Sequence, residues 1–290
     1  MASAAGVARN LGAWRQGNGW RCPCLLDCGY ALSIADGKDG QLLAHCFGGC
    51  RYDEILLALV EHGLLDGNDD SAGDHDVVEP EFVEPSVRIA AARRIYDRLA
   101  PAAGTPAERY LRSRAITLPV PATLRFGACP HRLGGLLPAT AAPVINIDGD
   151  QTGIHMTYLR PDGSGKADFP RSDLQRECRG VVRGGAIRLA EHDPTRPLII
   201  AEGIETTLSA MEILDLPGWT AVSASGLKTL ELPLSVRRIC IAADHDAAGV
   251  NAAVTAARRW QGEGRVVRIV LPTTAGDDFN DVLMGRRGNG

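Results

Sequence analysis

Aromatic side chains are scarce, at 5% of the 290 residues, which is ordinary for an α/β protein but leaves few large anchors for a core. No apolar stretch approaches the ~18 residues that a membrane helix requires. The N-terminal MASAAGVARN has no long apolar segment of the kind a secretory signal carries, so the expected location is the cytoplasm. There is no GxxxxGK[ST] string, which excludes a P-loop helicase or ATPase module in this sequence. Residues 66–85, DGNDDSAGDHDVVEPEFVEP, contain no Lys and no Arg. Such a stretch repels itself, buries little, and reads as an extended acidic linker.

That linker changes how the net charge of −4 is read. Its eight acids hide a middle segment, 86–197, that carries 17 basic and 10 acidic residues. A basic surface of this kind is compatible with phosphate contacts and does not by itself demonstrate them. The divisions that follow are a cysteine-rich module at 1–65, the linker at 66–85, a mixed α+β segment at 86–197 and an α/β segment at 198–290.

Five of the eight cysteines fall between Cys22 and Cys50. In a cytoplasmic chain such clustering points to metal ligands before disulfides. Tetrahedral zinc takes four thiolate or imidazole ligands from two turns joined by a hairpin. Cys46 and Cys50 form one pair, with Gly48 and Gly49 allowing the chain to curl between them. Cys22, Cys24 and Cys28 compete for the other places. The favoured set is Cys22, Cys28, Cys46 and Cys50, with Cys24 as a substitute for Cys22 or Cys28; His45 is a further candidate. The role is structural, since no position is left open for water.

The spacing predicts helices over 51–65, Val87–Leu99 and Pro106–Ser113. Residues 116–197 read as β-rich, with the DGD of Asp148–Asp150 between two apolar runs as a hairpin signal. From 198 the pattern alternates. PLIIAE, WTAVSA, RRICIAAD and RVVRIVLP read as strands, and GIETTLSAMEIL, AAGVNAAVTAARRWQ and FNDVLMG as helices. Alternation of this kind implies a parallel sheet covered on both faces.

In a parallel sheet, Glu202, the pair Asp244 and Asp246, and Asp278 all fall beyond the carboxyl ends of strands, where open α/β sheets place their ligands. Asp277 and Asp281 lie beside the last of these. Any one such acid is more often a helix cap or turn residue. Several together repel unless a cation is present. Mg²⁺ prefers hard oxygen ligands and suits two or three carboxylates plus a phosphate. That is the arrangement of metal-assisted phosphoryl or nucleotidyl transfer.

AEGIETTLSA, IAADHDAAG and DDFNDVL together resemble a Toprim domain, the fold shared by bacterial primases, type IA and type II topoisomerases and some nucleases. The strings are most similar to the Toprim domains of phage- and plasmid-type primases. The resemblance implies that Glu202 acts as general acid or base and that Asp244 and Asp246 bind Mg²⁺ or Mn²⁺. It implies a third acidic site at Asp278, with Asp281 beside it and Glu205 either supporting the site or serving the helix alone. HCFGGC resembles the second knuckle of the primase zinc ribbon, although three residues separate Cys46 from Cys50 where the family has two. GTPAERYLRSRAI and the β-rich stretch after it are similar to the N-terminal part of a primase polymerase core. There the resemblance implies basic residues along the nucleotide and template path, namely Arg125, Arg160, Lys166 and Arg171.

The reading that follows is a primase-like nucleotidyltransferase making short RNA primers on single-stranded DNA from ribonucleoside triphosphates, with a helicase supplied separately. Trp14, Trp20, Tyr30 and Phe47 are candidates for stacking on template bases, or for packing around a small zinc fold. The rival readings are a Toprim nuclease and a non-catalytic DNA-binding module of a mobile element.

Overall fold

The computed structural model describes residues 3–16, 19–26, 31–37, 40–46, 50–65 and 84–288. It divides into two compact units, Met1–Phe82 and Val83–Gly290. Most of the acidic linker, together with Cys28, Tyr30 and Phe47, lies outside the described residues. Among the described residues no helix is long and apolar enough to cross a membrane.

The first unit opens with helix α1 (Ala4–Asn10), which the sequence pattern did not reveal. Ser3 caps it by accepting from the Gly6 amide at 3.2 Å, and the Asp36 carboxylate accepts from the Ala4 amide at 2.7 Å. An antiparallel four-stranded sheet follows, β1 (Trp14–Gln16), β2 (Gly19–Pro23), β3 (Ala31–Asp36) and β4 (Leu42–Cys46), in sequence order. Helix α2 (Tyr52–Glu61) then packs Ile55 and Leu59 against Leu32 and Ile34 of β3. The helical pattern seen over 51–65 ends early, because His62–Leu65 turn away through the positive φ of Gly63.

The second unit begins with α3 (Pro85–Asp97), started by Pro85 at its first turn, where a missing amide costs nothing. A five-stranded antiparallel sheet follows: β5 (Ala100–Pro101), β6 (Arg125–Pro130), β7 (Leu136–Ile145), β8 (Gln151–Tyr158) and β9 (Arg176–Gly180). Helix α4 (Pro106–Ser113) lies between β5 and β6, capped by Thr105. The hairpin expected at Asp148–Asp150 joins β7 to β8; Gly149 adopts φ 92° there, and the Asn146 amide donates to Asp150 O at 2.9 Å. One face of the sheet, with Ala139, Ala141, Ile154, Met156 and Tyr158, packs on Ala92 and Tyr96 of α3. The opposite face sends Ala142 and Val144 into a core shared with Tyr110, Leu111, Ile204, Leu208 and Leu283. The segments 86–197 and 198–290 therefore share a core within one compact unit.

The C-terminal sheet contains β10 (Ile187–Arg188), β11 (Leu198–Ala201), β12 (Gly218–Thr220), β13 (Arg238–Ala242) and β14 (Val266–Val270), in the order β10-β12-β11-β13-β14. The last four are parallel, as expected. The edge strand β10 comes from the preceding segment and runs antiparallel to β12. Helices α5 (Ile204–Leu214), α6 (Ala224–Thr229), α7 (Ala247–Gly262) and α8 (Phe279–Gly288) cover the sheet. The strand read over WTAVSA is only three residues long; Val222 takes φ 75° and the chain turns into α6. Both sheet faces are buried. Leu198, Ile200, Ile239 and Ile241 meet Ala252, Ala253, Ala256 and Trp260 of α7, while Ile199, Ala201, Cys240 and Ala242 meet Ala210 and Phe279. Each buried Leu or Ile contributes roughly 1.5–3 kcal/mol relative to exposure, and this fixes the register of the strand ends.

Candidate functional site

Strand register brings the first two acids together. Ile200 of β11 pairs with Ile241 of β13 in the parallel ladder. Glu202 and Asp244 thus leave the ends of adjacent strands, spaced by ~4.8 Å in the sheet direction. The loop after β14 is clipped to the DHD turn by two backbone bonds, His245 amide to Asp277 O at 2.9 Å and Gly276 amide to His245 O at 2.8 Å. That clip carries Asp278 to the same rim.

Asp246 caps α7, its Oδ1 accepting from the Gly249 amide at 2.7 Å. The capping role weighed from the sequence is real, and the carboxylate still faces the others electrostatically. A side chain at Gly249 has no space: a Cβ there would stand 2.7 Å from Asp244 O. Asp278 and Asp281 form a reciprocal cap at the start of α8, each carboxylate accepting from the other's amide, at 2.9 and 3.1 Å. Asp278 also accepts from the Thr206 hydroxyl at 3.1 Å.

Burial pushes the Glu202 carboxyl up to about 7, reinforced by Asp244 and Asp246 and opposed by Lys228 and Arg176. Burial pushes Asp244 up to about 6, reinforced by Asp278 and Asp246. Glu202 Oε1 and Asp244 Oδ1 are both buried and accept no hydrogen bond among the described residues. Two such oxygens on neighbouring strands, with no donor, suit a hard cation. The four acids are not drawn into a tight cluster, however. Among the described residues the one group of three metal-ligating side chains with ligand atoms all within 4.8 Å of one another is Cys24, Cys46 and Cys50.

The basic candidates separate clearly. Arg125 lies over the Tyr96 ring, 4.3 Å from its centroid, and donates to Tyr96 O at 3.2 Å, so it braces α3. Arg160 makes a two-pronged pair with Asp168 at 2.6 and 2.9 Å, and Arg171 does the same with Asp173 at 2.9 Å. Lys166 pairs instead with Glu205 of α5, its Nζ 3.1 Å from Oε1. The sequence reading missed Arg176, at the start of β9. Its guanidinium is exposed, and its field acts on Glu202, Asp244 and Glu205 alike. Nothing local in SDLQRECRG signals this; the placement depends on the pairing of β8 with β9.

In the first unit the ladder separates the cysteines. Leu32 of β3 pairs with Cys22 on one side and with Cys46 on the other. Cys22 and Cys46 are therefore two strand spacings apart, ~9.5 Å at the backbone, too far to share an ion in that geometry. Cys22 Sγ donates to Leu32 O at 3.9 Å, and burial pushes the thiol up to about 11. Cys24, beyond the end of β2, takes the place given to Cys22. Its Sγ is 3.9 Å from that of Cys50, against ~3.8 Å for two thiolates on tetrahedral zinc at ~2.3 Å. Cys28 lies outside the described residues. His45 is exposed on β4. Trp20 packs on the core of this unit and lies under Arg15, 5.5 Å from ring centroid to guanidinium carbon; Trp14 is half-buried on β1.

Residues 197–289 match the family model of the Toprim domain, and residues 86–189 match a domain of unknown function, DUF7146. The C-terminal segment is a Toprim domain. No curated protein matches the chain. The solved structures similar to it include primases. The zinc-binding and RNA polymerase domains of Aquifex aeolicus primase give 15% identity, a TM-score of 0.47, and coverage of 98% of this chain and 80% of that one. The primase fragment of the bacteriophage T7 primase-helicase gives 15% identity, a TM-score of 0.41, and coverage of 65% and 69%. The RNA polymerase domain of Mycobacterium tuberculosis primase gives 13% identity, a TM-score of 0.31, and coverage of 67% of each chain.

Proposed function

We propose that the chain is a primase-type nucleotidyltransferase that joins ribonucleotides on a single-stranded DNA template. The observation that carries this reading is the pair of buried oxygens Glu202 Oε1 and Asp244 Oδ1, at the ends of adjacent strands of the Toprim sheet, which accept no hydrogen bond among the described residues. Asp244, with Asp246 and Asp278 beside it, would hold Mg²⁺ or Mn²⁺. A divalent ion supplies charge to offset crowded phosphates as the primer hydroxyl attacks in line. The Glu202 carboxyl, pushed up to about 7 chiefly by burial, is suited to take the proton of that hydroxyl near neutral pH. Lys166 and Arg176 face the incoming triphosphate. In the first unit, Cys24, Cys46 and Cys50 would bind a structural zinc with Cys28 as the fourth ligand, and Trp14 would lie along the template.

The test is incubation of the full chain with single-stranded DNA, Mg²⁺ and labelled ribonucleotides. The expected product is short RNA on the DNA template. Incorporation is expected to fall at least ~100-fold in Glu202→Gln, the scale of a lost acid–base group, and comparably in Asp244→Asn and Asp246→Asn. Shortened DNA with no incorporation would instead indicate a nuclease. Template binding unaltered in all three variants, with no product from the wild type, would indicate a binding module.

A further inference from the structure

Glu205 lies three residues after Glu202, in the first turn of α5, and is 7% exposed. Its carboxylate joins three parts of the second unit. Tyr110 of α4 donates to Oε1 at 2.5 Å, and Lys166, from the loop between β8 and β9, places Nζ 3.1 Å from the same oxygen. Tyr110 is itself 2% exposed. A carboxylate withdrawn from water in this way persists because a cation and a hydroxyl meet it. Burial alone would raise its pKa; Lys166, Arg176 and the Tyr110 hydroxyl overcome that and hold it below the usual carboxylate range.

The placement has a consequence for Lys166. Thr206, the next residue on α5, donates to Asp278 of the acidic rim at 3.1 Å, and the Arg176 guanidinium acts on Glu202 and Glu205 alike, so an ammonium fixed on Glu205 stands beside that rim. An ammonium has three donors, and Glu205 engages one side of it. Glu205 is anionic and would repel a phosphate by itself, so its use to a nucleotide is indirect. Resting on the primase-type reading, we infer that Glu205 is a positioning residue: its carboxylate, held by Tyr110, sets the Lys166 ammonium where it meets the triphosphate of the incoming nucleotide.

The full-length chain tests this by two readouts, titration with a non-hydrolysable ATP analogue in Mn²⁺ and steady-state primer synthesis. Glu205→Gln is expected to weaken analogue binding and raise KM by roughly tenfold while kcat stays within about threefold, the signature of lost binding and not lost chemistry. Lys166→Met should match it, and the double variant should be no worse than Lys166→Met alone, because the two act as a unit. Tyr110→Phe, which keeps the ion pair, should have a smaller effect of the same kind. Additive losses, or a fall in kcat with analogue affinity unchanged, would overturn the inference. If Glu205→Gln does not fold, Lys166→Met decides: unchanged analogue affinity overturns the inference. A wild-type chain that binds the analogue but makes no primer would refute the primase-type reading, while the affinities of the variants still decide this one.

Discussion

Two carboxylates on neighbouring strands are costly to keep charged together. The Glu202 proton is held more tightly in the folded chain than in the unfolded one, with the carboxyl at about 7 against an ordinary 4.5. Its contribution to stability is therefore present below about pH 4.5 and lost as pH rises through about 7. At pH 8 without divalent ions the folded state carries a buried charge, and its repulsion with Asp244 and Asp246, uncompensated. Glu202→Gln removes it, and is expected to raise Tm in a chelating buffer at pH 8 by a few degrees, the equivalent of about 1–2 kcal/mol. At pH 4, below the unfolded value of 4.5, the variant and the wild type should melt together. Thermal unfolding at the two pH values checks this, and a variant less stable at pH 8 would refute it. Gly249→Ala is the second test at this scale. Its Cβ would press on Asp244 O, so a loss of roughly 1–3 kcal/mol is expected, together with lost incorporation, since Asp244 must shift.

At the level of elements, the strand ladder of the first unit decides which thiols can share an ion. Cys24→Ser is expected to lower bound zinc from about one equivalent to well below it, while Cys22→Ala should retain the metal and lose only packing. Elemental analysis of the purified variants distinguishes them; zinc lost from Cys22→Ala alone would contradict the ladder argument. The sequence showed five cysteines and a hairpin but not the β2–β3–β4 register that sets Cys22 apart. The acids were legible for the opposite reason. Glu202, Asp244 and Asp278 each follow a strong apolar strand, so their edge of the sheet follows from β/α alternation alone. Arg176 was not legible, because its placement depends on the pairing of β8 with β9; Lys166 and Glu205 were named singly, but their meeting with Tyr110 depends on packing between distant segments. The edge strand β10 escaped because two residues with an ordinary composition carry no periodicity.

For the molecule as a whole, the two units have separate cores, one built around Leu32 and Ile34 and the others around the two sheets of residues 83–290. Removing zinc is thus expected to expose the amides of β2–β4 to hydrogen exchange and leave those of β11 and β13 protected. Loss of protection across both units on chelation would contradict separate cores. The same separation means that the carboxylate rim should bind its ion with or without zinc. The most direct test of the account is anomalous diffraction at the manganese edge from crystals grown in Mn²⁺. The expected result is a peak within coordination distance of Glu202 Oε1 or Asp244 Oδ1, lost in Asp244→Asn. Manganese found only elsewhere on the surface, with these two oxygens satisfied by protein donors, would contradict it.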